Sequence, residues 1–194
     1  GAIGTTIGGS TAADRNVISG NSVGVLVDAA AVPANLSEAT SVQGNFIGVD
    51  SSGVTQLGNA TGIQLQNTTG AIIGVDGEGN DDGGEGNVIS GNGNQGINIW
   101  DSGATGNTVS GNYIGTDVTG TAAVPNAGYW GVGIGGGAQY NQIGGDSPEA
   151  RNLISGNLGN GIEIQGAGTM NNTVSGNYIG TDVSGMATLP NGHS

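Results

Sequence analysis

The chain has no cysteine, two cationic side chains, one histidine and few aromatics, 4% of its 194 residues. Without cysteine there is no disulfide, no thiolate metal site and no thiol nucleophile, so stability cannot rest on cross-links. Arg15 and Arg151 stand against fifteen acidic residues, a formal net charge of -13 that repels phosphate backbones and anionic lipid alike. Nucleic acid is therefore a poor partner. No apolar run approaches the ~20 residues a membrane-spanning helix needs, and membrane insertion is not expected. So few aromatics would starve a globular core, but 43 glycines suit a fold that turns often and buries one small apolar side chain at a time. There is no Gly-X-Y period, which excludes collagen. The missing initiator Met and the start inside a repeat, Gly1-Ala2-Ile3-Gly4, point to a processed chain or a segment of a longer array.

What is present is a repeat. One four-residue figure occurs six times, starting at Asn16, Asn45, Asn87, Asn112, Asn152 and Asn177. Its third position is Ile each time, giving Ile18, Ile47, Ile89, Ile114, Ile154 and Ile179, and its fourth alternates Ser and Gly. Two further columns accompany it. The first is a Gly-apolar-x-apolar strand carrying Val25, Ile63, Ile97, Val132 and Ile162; the second is a short strand centred on Ile7, Val42, Ile73, Val109, Ile143 and Val174. Period-two alternation marks all three as strands with one buried face.

Successive first strands are 38, 34, 35 and 30 residues apart, because the connections vary while the strands do not. In alternate coils the excursion follows the third strand, as in Gly115-Thr116-Asp117-Val118-Thr119-Gly120, where Asp and Gly three apart are type I turn chemistry. In the other coils it falls between the second and third strands, at 8–15, 74–86 and 144–151. Strands that recur once per turn, joined by connections too short for crossover helices, can pair only with their own copies in the next coil. The expected fold is all-β: one domain over residues 1–194, a parallel β-solenoid of three short strands per coil and about six coils, roughly 30 Å long. The Ile column points inward. The Asn column sits at the corner, where amides stack, and the residues between, Val17, Phe46, Val88, Tyr113, Leu153 and Tyr178, point out as an apolar stripe, either roofed by the excursions or open to another rod.

These repeats, the Asn-x-Ile-Ser-Gly-Asn and Asn-Tyr-Ile-Gly-Thr-Asp units, resemble the parallel β-helix repeats of the pectate-lyase-like superfamily, of the Gly/Asn-rich type in large bacterial secreted and surface proteins. The resemblance spans essentially the whole chain and implies right-handed winding and an extracellular or cell-surface location. It also implies a possible polysaccharide-cleaving activity, which the residues do not favour. Relatives that are lyases resemble one another in using calcium on stacked Asp and an Arg or Lys base. Here Arg15 and Arg151 occupy equivalent loop positions beside Asp14 and Glu149 and read as loop anchors. A glycoside hydrolase needs paired carboxylates; Asp81-Asp82 is the one adjacent pair, and His193 stands at the far end.

Metal candidates follow the same logic. Asp50, Asp117 and Asp182 fall on every second coil, ~9.6 Å apart, too far to share one calcium whose ligands lie within ~5 Å of one another. They read as turn caps. The loop Asp76, Glu78, Asn80, Asp82 has the alternating oxygen ligands of a calcium loop, so calcium is the candidate cation; Glu85 comes too early for an EF-hand. Trp100, Tyr129, Trp130 and Tyr140 could stack on sugar rings. The expectation is a non-catalytic structural solenoid of a surface, sheath, filament or adhesin-like assembly, self-associating end to end or laterally, or joined to further repeats of the same chain. The alternative is a carbohydrate-binding or polysaccharide-degrading β-helix whose active coils lie elsewhere.

Overall fold

The computed structural model describes residues 4–29, 40–79 and 82–192. They form a parallel β-solenoid of about five turns with three sheets. The first sheet contains Val23–Asp28, Thr61–Gln66, Ile97–Trp100, Trp130–Gly135 and Asn160–Ile164. The second contains Thr6–Gly8, Ser41–Gln43, Ile72–Gly74, Thr108–Ser110, Gln142–Gly144 and Thr173–Ser175. The third is six two-residue strands, from Val17–Ile18 to Tyr178–Ile179. The first Asn-x-Ile figure, at Asn16, belongs to a turn for which the described residues include no first strand, which is why six figures make about five turns. One short helix, Asp82–Glu85, lies in the longest of the excursions between a second and a third strand.

Every strand pairs parallel with its own repeat. Ile18, Ile47, Ile89, Ile114, Ile154 and Ile179 are in register from coil to coil, as are Val25, Ile63, Ile97, Val132 and Ile162. Because each coil adds one residue to each column, the core is a set of files: Ile47, Ile89, Ile114 and Ile154 are fully buried, and Ile63, Ile97 and Val132 pack against them. Fully burying an aliphatic side chain of this size contributes about 1.5–3 kcal/mol. The glycine that opens each first strand allows neighbouring coils to touch: a Cβ on Gly62 would lie 2.5 Å from the Gly96 carbonyl and 2.9 Å from Ile89 Cγ2.

Candidate functional site

Among the described residues, the corners of the coil carry most of the buried polar side chains. Between the second and third strands, Asn16, Asn45, Asn87, Asn112, Asn152 and Asn177 form a relay in which the backbone N–H and Nδ2 of each rung donate to Oδ1 of the next, at 2.9–3.2 Å. From the second rung on, Nδ2 also donates to a second-strand carbonyl one coil back, from Ile7, Val42, Ile73, Val109 or Ile143. The amide therefore satisfies the backbone of a buried bend, where an unpaired group would cost roughly 1–3 kcal/mol.

Two more ladders went unread in the sequence. Asn21, Asn59, Asn92, Asn126, Asn157 and Asn191 stack at the corner between the third and first strands. Asn107, Asn141 and Asn172 stack between the first and second. The signal for the former was present: this Asn follows the repeat Asn by five residues where the bend is tight and by fourteen where the excursion intervenes. The alternation hid it.

The excursions after the third strand are small hairpins, closed by the bridges Val49 to Gln56, Thr116 to Ala123 and Thr181 to Thr188. Asp50 Oδ1 accepts hydrogen bonds from the Ser52 hydroxyl at 2.6 Å and from the Ser52 and Thr55 N–H groups at 3.1 and 3.2 Å. The Ser52 hydroxyl bond, with the Thr55 and Val54 donors behind it, pulls the Asp50 carboxyl down to about 2. Asp182 is lowered by the same set, led by Ser184. Asp117 accepts from Thr119, Thr121 and Ala122. The hairpins stack on one another although their roots are two coils apart: Val118 N–H donates to the Gly53 carbonyl, and Val183 N–H to the Gly120 carbonyl, both at 3.0 Å.

This stack covers the outer stripe, the roofed arrangement of the two expected for it. Phe46, Val88 and Leu153 are buried, Tyr113 and Tyr178 half-buried, and among the six only Val17 is 46% exposed. Phe46, Val49, Val88 and Val124 close into a second apolar cluster against which Tyr113 packs. The stripe is a floor, not an open face: hairpins roof the aromatic members, with Gly53 over Phe46 and Gly185 over Tyr178. A groove of about 390 Å³ runs along that floor between the hairpins and the opposite loops. Burial, then the nearby Asp117 charge, push the Tyr113 hydroxyl pKa above its usual value.

Arg15 and Arg151 also depart from expectation. Rather than resting on Asp14 or Glu149, each reaches into the next coil, where a backbone carbonyl and an aromatic face receive it. Asp14 instead accepts from the Thr11 hydroxyl at 2.5 Å.

In the long loop, Asp76, Asp82 and Glu85 bring carboxylate oxygens within 4.8 Å of one another. Glu85, set aside on spacing, replaces Glu78 in this group because the short helix turns it inward, where it is buried and accepts from Asp76 N–H at 3.1 Å. Glu78 is exposed, and its N–H caps Asp76 Oδ1 at 2.9 Å. Asn80, Asp81 and His193 lie outside the described residues. Three convergent carboxylates are the donor set a hard cation such as calcium takes.

On the outer face of the first sheet, Trp130 lies over Gly133 and Trp100 lies over Gly135 of the following coil, positions where any Cβ would collide with an indole. Tyr129 is exposed and its ring is 5.9 Å from that of Trp130; Tyr140 is exposed and stands apart in a connection. Asn98 Oδ1 and Trp130 Nε1 are, among the described residues, the buried side-chain atoms without a hydrogen-bond partner, and Asn98 sits beside Gly133 in the sheet.

These features define the class: an all-β parallel solenoid with amide ladders at its corners. Comparison with family models, with curated proteins and with solved structures finds no match to the chain.

Proposed function

We propose that the chain is a non-catalytic structural solenoid, a rod segment of an extracellular surface, sheath, filament or adhesin-like assembly. We place it with the right-handed Gly/Asn-rich repeats of large bacterial secreted proteins on the strength of its repeat units. The observation that carries the structural reading is the shared polarity of the ladders. Each Asn donates toward the next coil and accepts from the previous one, so Asn16 and Asn21 offer Oδ1 at one end of the rod while Asn177 and Asn191 offer N–H at the other.

Such ends are complementary head to tail and mismatched head to head, which favours an open-ended stack over a closed dimer. The last coil supports the same reading: Ile164 and Ile179 are each 46% exposed, whereas Ile134 and Ile154 one coil earlier are fully buried. A further coil, from a second copy or from more repeats of the same chain, would cover them. Electron microscopy with sedimentation velocity tests this. Fibres or concentration-dependent rods are expected, and monodisperse short rods at all concentrations would overturn self-stacking.

The indole platform favours a second reading, carbohydrate binding on the first sheet. A sugar ring would stack on the exposed Tyr129 and the accessible part of Trp130 beside it, whose ring centroids are 5.9 Å apart. Glycan-array binding that is lost in Trp130→Ala is the expected result on that reading, and an array without hits would remove it.

A further inference from the structure

In the first and third repeat pairs the same contact recurs. Arg15, immediately before Asn16, sends its Nε to the Gly44 carbonyl in the next coil at 3.0 Å and lays its guanidinium 4.2 Å from the Phe46 ring centroid. Arg151, immediately before Asn152, does the same with the Gly176 carbonyl at 2.9 Å and the Tyr178 ring at 4.2 Å. These are the chain's two cationic side chains.

In the middle pair the residue before Asn87 is Gly86, and the ring in the next coil is Tyr113. Gly86 cannot be replaced by an arginine of the same kind, because its Cβ would collide with the Gly111 carbonyl, the counterpart of Gly44 and Gly176. No residue of the chain therefore supplies a guanidinium to Tyr113. The groove along the stripe is lined here by Tyr113, Gly86 and Gly111, with Asp82 and Glu149 at its edge and Val118 on the hairpin side. Phe46 beneath Arg15 is buried, and Tyr113 is half-buried, as is Tyr178 beneath Arg151 in the last coil.

We propose that the Tyr113 position is a binding site for a guanidinium group brought by another molecule, an arginine side chain of a partner protein seated on the ring as Arg15 and Arg151 are on theirs. The repeat itself is the template: the same bend, corner amide and ring occur three times, and twice a guanidinium fills the space above the ring. Charge agrees. The groove is lined by Asp82 and Glu149 as well as by Arg15 and Arg151, whose guanidiniums sit over rings two coils from Tyr113, ~10 Å and about a Debye length at physiological salt, in a chain that carries -13 overall. A planar guanidinium stacks on a ring face where a compact ammonium does not, so arginine is preferred over lysine. The partner is not a second copy of this chain, since both of its arginines are already seated.

The test is a titration of the full chain with N-acetyl-argininamide, followed through the Tyr113 ring resonances. A saturable shift is expected, at least tenfold weaker with the uncharged N-acetyl-citrullinamide and lost in Tyr113→Leu. Because that variant also alters packing, Arg151→Gly provides an independent arm: it empties the equivalent place, and a second saturable site reported by Tyr178 is expected. A Gly-Arg-Gly peptide should bind at least as tightly as the capped amino acid; exclusion of the peptide would overturn a protein chain as the source. No saturable shift at Tyr113, or an equal response to the citrulline analogue, would overturn the site.

Discussion

Asn112 donates twice to Asn152 Oδ1, from its backbone N–H and from its side-chain amide, each at 3.0 Å. The same Nδ2 also holds the Ile73 and Ser110 carbonyls, at 2.8 and 2.9 Å. One amide thus ties three coils, and all of it is buried.

Asn112→Ala removes the acceptor for Asn87 and the donor for two buried carbonyls at once. A loss of roughly 3 kcal/mol or more is expected from orphaned groups at about 1–3 kcal/mol each. Asn177→Ala, on a partly exposed rung of the last coil, should cost less, because water can reach the groups it leaves unpaired and it has no further rung to hold. Urea denaturation of the two variants side by side gives the comparison, and equal losses would contradict the relay.

Two turn glycines, one in a hairpin and one in a corner, make a second contrast. Gly53 has φ +72° and a Cβ there would lie 2.8 Å from Val118 Cβ and 2.9 Å from Phe46 Cζ; Gly70 has the same φ and nothing within 4 Å. Gly70→Ala should cost only the left-handed conformation, about 1–2 kcal/mol. Gly53→Ala should cost about 1–3 kcal/mol more, from overpacking against the roofed ring. Thermal melts of the pair measure the difference.

Protonation of the hairpin cap has a defined sign. The Asp50 carboxyl, lowered from 3.8 to about 2 by hydrogen bonds in the fold, contributes stability that is fully present above its unfolded value and is lost as pH falls through about 2. Asp182 acts in the same direction. A carbon-detected titration of Asp50 should show its midpoint near 2, and Asp50→Asn should remove the corresponding acid sensitivity. A midpoint at 3.8 would contradict the capping geometry.

Much of this architecture is legible from the sequence because a solenoid writes its register directly: Ile47 to Ile89 to Ile114 is one column in the text and one file in the core. The corner Asn16 column is read by the same route. The stripe was harder, because alternation tells that Phe46 and Val88 point outward but not what lies outside; the hairpins that roof them bond across two coils through Gly53 and Val118. Local turn chemistry cannot announce that contact. Glu85 escaped because a short helix, not the loop's spacing, sets its direction. Sequence proximity puts Arg15 beside neighbouring acids, whereas its partners lie a full coil away, 29 residues on at the carbonyl.

The three carboxylates of Asp76, Asp82 and Glu85 give a metal prediction. Calcium is expected to raise the melting temperature, because a ligand bound only by the folded state adds its binding free energy to stability. Asp82→Asn should abolish the increment. Identical melts in calcium and in chelator would remove the ion from the account.

The most direct probe of the whole arrangement is scalar coupling across the ladder hydrogen bonds, read between the backbone nitrogen of one Asn and the side-chain carbonyl carbon of the next. Correlations are expected from Asn87 to Asn112 and from Asn112 to Asn152, with the backbone bond from Tyr113 N–H to the Asn87 carbonyl at 2.9 Å as internal reference. A spectrum that shows the Tyr113 reference but neither side-chain correlation would contradict a rod whose turns are joined by its asparagines.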